Sequence, residues 1–401
     1  MTRGGRAVEQ ADRAFAINAR RHLHKYPELS LKECKTAEYI RRQLAEFGLE
    51  HVAVGETGTF AVIEGGKGQG RRVLLRADID ALPMEEKTGL PFKSVHEGAM
   101  HACGHDIHTA ALLAAAKRLA ELKESFAGTV LLAFQQAEEK GHGARFFREQ
   151  GLTRGYDRAF GVHIASDRPL GKVVLSKGAD APSCDIFRLA LTGKKSHIAR
   201  PHLGIDALQA GAALAGELAK LSARAIDPAD KVIVGVGLFR AGTSYNIIAD
   251  EAVIEGTLRA YTEENRKLLQ ERVRELAAGV ERLYGVKAAC EIVDCADVLV
   301  NDDAAREEVA EVARQLLGED GVEISDEPAF GFAADDFSEF LRECPGAYAH
   351  VGVGAEGKPA SWEPLHSDRL EPEEEAVIIA ANLHLNYALQ VLGAAGEGGR
   401  P

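Results

Sequence analysis

The sequence predicts an α/β fold, with a mainly parallel central sheet flanked by helices and a smaller α+β domain inserted into it. Apolar runs of strand length alternate with helical stretches in the first part of the chain, and from about Pro182 that rhythm changes to β-α-β-β-α-β. Length agrees, because 401 residues exceed the usual size of one compact core.

Val8 to Lys25 has helix-forming composition and ends before Tyr26-Pro27, and Lys35 to Phe47 gives a second amphipathic stretch closed by Gly48. Arg72 to Ala77 reads as a buried strand, Thr109 to Lys123 as an alanine-rich helix, Thr129 to Phe134 as another buried strand and Ala144 to Gln150 as a short helix. In the insert, the strand-like DIFRLALTG precedes a helix over Ile205 to Leu221. The strand-like VIVGVGLF and EAVIEGTLRA follow, then a helix over Glu263 to Tyr284 and the strand-like ACEIV. That order matches a ferredoxin-like split unit. The expected domains are 1–180 with 297–401 for the discontinuous larger part, and 181–296 for the insert. A helix over Glu373 to Leu392, opened by Pro372, closes the fold, and the Gly-rich GAAGEGGRP is expected to be disordered. The sequence carries no internal repeat.

Composition narrows the function classes. With a formal net charge of −13 and no basic block, the chain would on average repel a nucleic-acid backbone. No apolar run reads as long enough to span a bilayer, and the N-terminal stretch lacks the apolar segment of a secretory signal, so the expectation is a cytoplasmic protein with no membrane partner. Six scattered cysteines, Cys34, Cys103, Cys184, Cys290, Cys295 and Cys344, read as reduced thiols.

The chemistry-bearing residues begin with Met100-His101-Ala102-Cys103-Gly104-His105-Asp106-Ile107-His108, which gathers thiol, imidazole and carboxylate donors just before a helix. Cys103 and His105 are two apart, so in a loop or extended backbone both can point the same way and hold metal ions. Asp78 and Asp80 follow a buried strand on one face at its end, where carboxylates can orient ligating imidazoles. Glu138 and Glu139 follow the next strand. Adjacent side chains of that kind should diverge, one binding a metal and the other taking a proton from a metal-bound water. His163 stands at the end of an apolar strand, and His366 lies in Trp362-Glu363-Pro364-Leu365-His366-Ser367. Taken singly, each has a structural reading: a helix cap or packing for His101 and His108, a solvated turn for the acids, a packed ring for His163 or His366.

Together these stretches resemble the M20 metallopeptidase and amidohydrolase family, in particular its aminoacylase-like branch of auxin-conjugate, hippurate and aminobenzoyl-glutamate hydrolases. The resemblance runs from about Arg21 to Leu392, and its markers are RRHLHKYPEL, RADIDALP, MHACGHDIHTA, QQAEE, GVH, SHIARPHLG, GTSYNIIAD, EGTLRAY, DDFSEF and PLHSD. The resemblance implies a metal-binding catalytic domain interrupted by a lid through which such enzymes commonly dimerise. It also implies two divalent ions per subunit, manganese, zinc or cobalt. Carried over by motif position, Cys103, His105, Glu139, His163 and His366 match the metal ligands, with Cys103 in the bridging place, and Glu138 matches the general base. His197 matches a histidine that polarises the scissile carbonyl, often in the partner subunit's site. Asn246 and Arg259 match positions that bind the substrate carboxylate, for which a guanidinium is suited by its paired donors.

This sequence departs from the family pattern in three places: Gln136 replaces the usual proline of QPAEE, the glycine-rich run after it shrinks to KGHGA, and AADDF replaces GSEDF. His197, in KKSHIARP, also lacks the glycine pair that precedes it in many relatives. The expected function is hydrolysis of N-acyl amino acids to a carboxylic acid and a free amino acid by a homodimer. The alternatives are a dipeptidase or carboxypeptidase on the same centre, or a metal-stabilised binding protein without catalysis.

Overall fold

The computed structural model describes residues 9–393, so the glycine-rich tail lies outside the described residues except for Gly393. The chain forms two compact units. Unit 1 holds the described residues up to Asp180, Val300–Ala329 and those from Asp335 onward; unit 2 holds Ala181–Leu299 with Phe330–Ala334.

In chain order unit 1 opens with α1 (Arg13–Lys25) and α2 (Cys34–Glu46), then β1 (His51–Val54), β2 (Gly58–Glu64) and β3 (Arg72–Asp78). It continues through α3 (His105–Glu121), β4 (Thr129–Gln135), α4 (Gly143–Glu149), β5 (Arg158–Pro169), β6 (Val173–Ser176) and β7 (Gly178–Ala181). Unit 2 follows as β8 (Cys184–Thr192), β9 (Ser196–His197), α5 (Ala207–Leu218), α6 (Leu221–Ala225), β10 (Val232–Ala241), β11 (Ile247–Ile248), β12 (Glu251–Ala260), α7 (Glu263–Tyr284) and β13 (Lys287–Ala296). The chain then runs through β14 (Leu299–Asn301), which pairs with β7, and on to α8 (Asp303–Leu317), β15 (Val322–Ser325), α9 (Ser338–Leu341), β16 (Gly346–Gly354) and α10 (Glu375–Gly393).

The large sheet of unit 1 has the order β1-β2-β4-β3-β5-β16-β6-β15. Its middle, β4-β3-β5-β16, is parallel, whereas β1, β2 and the β16–β6 step run antiparallel. The middle strands are apolar on both faces because helices cover both: every residue of β4, and all of β3 after Arg72, is buried. Helix α3 lies between this sheet and helices α1 and α10, and its small side chains Ala110, Ala111, Ala114, Ala115 and Ala116 are all buried in that core. Asp12 caps α1 by accepting from the Phe15 N–H at 3.0 Å.

Several expectations need correction. Helix α3 starts at His105, not Thr109, because Gly104 takes φ 86° and turns the chain into the helix early. Strand β5 runs on to Pro169, so His163 sits in its middle, not at its end; the parallel pairing with β16 extends past it to Val351, Gly352 and Gly354. The β1–β2 hairpin was not foreseen. Helix α10 is, by length and composition, apolar enough to cross a bilayer, contrary to the sequence reading, but 78% of its apolar window is buried inside the protein.

Unit 2 has an antiparallel sheet of order β10-β12-β8-β13, which is the strand order of a ferredoxin-like β-α-β-β-α-β unit. Phe187, Leu189 and Leu191 of β8 and Ile254 and Leu258 of β12 alternate along their strands and bury one sheet face against α5 and α7. Thr262 caps α7 by accepting from Asn265 N–H, and Gly285, at φ 72°, ends it.

Candidate metal centre

The ends of β3 and β4 and the first turn of α3 converge at one edge of the parallel sheet, where α/β folds place their sites. A Cβ on Gly104 would lie 2.4 Å from Ile164 Cδ1, so only glycine permits the turn that sets His105 at the head of α3. His105 Nδ1 faces Asp80, 2.9 Å from its carbonyl oxygen and 3.2 Å from Oδ1, which holds the proton on that nitrogen. Nε2 therefore points away, fully buried and without a hydrogen-bond partner. It lies 3.8 Å from Asp78 Oδ2 and 3.9 Å from both Glu138 Oε2 and Glu139 Oε1. Burial disfavours charge on this ring, yet Asp78, Asp80 and Glu139 outweigh it and raise His105 to about 10.

Around that nitrogen the other predicted ligands gather. Cys103 Sγ lies 3.5 Å from His163 Nε2, and His163 Nδ1 donates to the Ile164 carbonyl at 2.7 Å. His366, half exposed and at φ 66°, brings Nε2 to 3.4 Å from Glu139 Oε1, while its backbone N–H donates to Ala102 O. Three overlapping sets, Cys103/His105/His163, Cys103/Glu139/His366 and His105/Glu138/Glu139, each place their donor atoms within 4.8 Å of one another.

The electrostatics favour a cation here. Burial, and then the charges of Glu139, Glu138 and Asp78, push the Cys103 thiol well above its ordinary value. Burial followed by the charges of Asp335, Glu139 and Asp336 does the same to Glu138. Acidic groups that repel one another in a buried place, beside unpartnered His105 Nε2 and Glu139 Oε1, fit bound divalent ions. Sulfur, nitrogen and oxygen donors of this kind are ligand types for divalent metal ions.

Not every histidine of the cluster is available. His108 donates from Nδ1 to Asp78 Oδ1 at 2.7 Å and accepts the Ile164 N–H on Nε2 at 3.0 Å, so both its nitrogens are engaged. His101 is buried without a hydrogen-bond partner on either nitrogen, and burial lowers it to about 4. Asp78 and Asp80 thus orient His108 and His105 respectively.

Glu138 and Glu139 do not diverge as adjacent strand residues would. They sit in a 3-10 turn, Glu138–Lys140, and their side chains flank the same imidazole, 10% and 12% exposed. Asp80 holds the turn by accepting both backbone N–H groups at 3.1 Å. Glu33 accepts the Ala137 N–H at 2.9 Å. Beneath lies a buried cation: Arg76 contacts Asp78 at 2.6 Å, Asp336 at 3.1 Å, Asp335 at 3.2 Å and Gln135 Oε1 at 2.8 Å. Burial, opposed by Arg76 but aided by Asp335, lifts Asp336 to about 7. Among the described residues the non-glycine positions with positive φ are Leu31, Ala137 and His366; two belong to this centre and the third follows Ser30, which donates to Asp80 at 2.7 Å.

Sequence reasoning missed Arg76 and Glu33. An arginine inside the apolar run RVLLRAD was a readable signal of a buried ion network, whereas Glu33 is one acid among several in a loop and gave none.

In unit 2, His197 is exposed; its Nδ1 accepts the Ala199 N–H at 3.1 Å, which leaves the proton on Nε2. Asn246 is its neighbour across the β9–β11 ladder, where Ile198 N–H donates to Asn246 O and Ile247 pairs with His197. Arg259, on β12, donates through Nη1 to Phe332 O at 2.7 Å.

The model of peptidase family M20/M25/M40 matches residues 74–390. An N-acetyl-L-cysteine deacetylase of Bacillus subtilis is 37% identical over 377 residues, 94% of this chain and 88% of the relative. Thermostable carboxypeptidase 1 of Saccharolobus solfataricus is 36% identical over 383 residues, 94% of this chain and 95% of the relative. Among solved structures, a dinuclear metal-binding peptidase of family M20 from Bacillus subtilis superposes with TM-score 0.80 at 33% identity, covering 95% of this chain and 99% of that one. Fold, family model and full-length similarity agree: the chain belongs to peptidase family M20/M25/M40 and is a metal-dependent hydrolase of amide bonds.

Proposed function

We propose that this hydrolase cleaves the amide bond of N-acyl amino acids, with Glu138 as general base. The observation that carries the reading is the Glu138–Glu139 pair set against the unpartnered His105 Nε2. Two divalent ions held by Cys103, His105, Glu139, His163 and His366 would supply Lewis acidity to the scissile amide and to the attacking water. Glu138, whose proton affinity is raised by burial and by the charges of Asp335, Glu139 and Asp336, is suited to take the proton of that water and give it to the departing amine. In unit 2 the Nε2 proton of His197 suits a carbonyl oxygen, and Asn246 and Arg259 are assigned to the substrate carboxylate.

A peptidase reading on the same centre is favoured by the similarity to a protein named a carboxypeptidase. We further infer a homodimer through unit 2, supported by edge strand β10, on which Val236 and Phe239 are 37% and 41% exposed. A cytoplasmic setting is supported by the six cysteines, all free thiols.

The test is free-amine release by chelator-stripped protein, with and without manganese, zinc or cobalt, from N-acetyl, N-benzoyl and N-indoleacetyl amino acids and from dipeptides. Metal-dependent cleavage of the acylated substrates is expected. Activity confined to dipeptides would replace the proposal with the peptidase, and metal binding without any product would replace it with the binding protein.

A further inference from the structure

The turn that carries Glu138 and Glu139 begins with a residue in an unfavourable conformation. Ala137 has φ 53° and ψ 40°, the left-handed region that a side chain disfavours and that glycine would adopt freely. Something must hold it there. Ala137 is fully buried, and its N–H is satisfied by the Glu33 carboxylate at 2.9 Å. The other Glu33 oxygen accepts the Thr57 hydroxyl at 2.7 Å, which fixes the carboxylate from the opposite side. Glu33 itself is fully buried, and Thr57 is 2% exposed.

The residues on either side of Ala137 have anchors of their own. Gln136 donates to Val54 O at 3.0 Å, so the same 54–58 turn grips the residues on both sides of the 136–137 peptide, one through a side chain and one through Glu33. That packing is close: a Cβ on Gly58 would lie 2.0 Å from Gln136 Oε1, and one on Gly143 would lie 1.5 Å from Gln136 O. Asp80 secures the next two N–H groups, those of Glu138 and Glu139. Ala137 is thus the one strained residue of the turn; its carbonyl accepts from the Lys140 and His142 N–H groups at 3.4 Å, and Glu33 is the tether of its N–H.

Resting on the amidohydrolase reading above, we propose that Glu33 is a positioning residue. Its tether on the Ala137 N–H keeps that residue left-handed, so that Glu138 and Glu139 both reach the space before His105 Nε2. Glu33 touches no reacting atom; it acts through the backbone. Loss of its carboxylate would bury an unpartnered N–H and let the turn relax, shifting both glutamates together. A shift of about 1 Å in a base costs on the order of 100-fold in rate.

The experiment uses the full chain loaded with manganese, N-acetylcysteine as substrate, and bound metal counted in each sample. Glu33→Ala is expected to lower kcat about 10- to 100-fold with KM within about twofold. Glu33→Gln, whose amide can accept from Ala137 and donate to Thr57, is expected to keep most of kcat. Ala137→Gly in the Glu33→Ala background, which removes the cost of the left-handed region, is expected to recover part of the loss. Wild-type kcat in Glu33→Ala, or equal losses in the Ala and Gln variants, would overturn the proposal. Should Glu33→Ala not fold, Thr57→Val carries the test, with a smaller fall in kcat expected and none overturning it. A second readout is independent of turnover: the visible spectrum of the cobalt-loaded chain should change in Glu33→Ala and not in Glu33→Gln. A wild-type chain that cleaves nothing defeats the amidohydrolase reading alone, because the cobalt spectra still decide the role of Glu33.

Discussion

His105 and His108 lie three residues apart on the first turn of α3, and their residue type alone cannot separate a ligand from a packed ring. Their second nitrogens do. Asp80 occupies Nδ1 of His105 and leaves Nε2 unpartnered, whereas His108 has both nitrogens engaged, by Asp78 and by the Ile164 N–H. The sequence therefore shows which residues are capable of ligation, and only the hydrogen-bond pattern shows which remain available. Another histidine permits a clean test by pH. His384 on α10 is fully buried against Phe160, has no hydrogen-bond partner on either nitrogen, and burial lowers it to about 3. A group lowered in the folded state is protonated first in the unfolded state, so its contribution is intact above the ordinary value of 6.5 and is lost as pH falls from there toward about 3. Urea unfolding of the chelated protein should show His384→Leu gaining on wild type below pH ~6.5, by up to about 1.4 kcal/mol per pH unit. Parallel stability profiles would contradict this.

At the scale of elements, strands with unbroken apolar runs were legible: β3 and β4 begin at the expected residues and end one residue beyond the expected ends. Helix α7 matches its expected span, since Thr262 before it is an explicit start signal and Gly285 after it an explicit stop signal. The start of α3 was not legible, because the left-handed Gly104 that permits it is dictated by the approach of Ile164, a residue 60 positions away. The grip of α1 on α3 was equally hidden. Arg20, 1% exposed, contacts Asp106 at 2.9 Å, and His24 contacts the same carboxylate at 2.9 Å, while burial opposes and Arg20 and His24 together enforce its charge. Arg20→Met, which leaves that carboxylate with His24 alone, should lower unfolding stability by roughly 3–5 kcal/mol at matched metal content. A loss below about 1 kcal/mol in denaturant titrations would show that the pair is not what holds α1 in place.

For the whole molecule, the inserted β-α-β-β-α-β order and the motif sequence were readable because each segment carries its own periodicity or its own donor residues. What escaped was anything set by distant chain segments. Phe330–Ala334 belongs to unit 2, although unit 1 flanks it on both sides, and Arg259 and Tyr261 hold it through carbonyl contacts that no local pattern encodes. The AADDF departure was readable as a shorter acid near the pocket, but its partners were not: Asp335 and Asp336 share Arg76 and lie next to Glu138. The proposed function makes one demand, that Glu138 moves the proton while its neighbours hold the ions. The most direct measurement is the rate of amino acid release from an N-acyl amino acid by metal-loaded wild type and Glu138→Gln, with bound metal counted in the same samples. The account predicts a fall of about 100- to 10,000-fold with the metal content unchanged, and a variant that keeps turnover within a few-fold of wild type would contradict it.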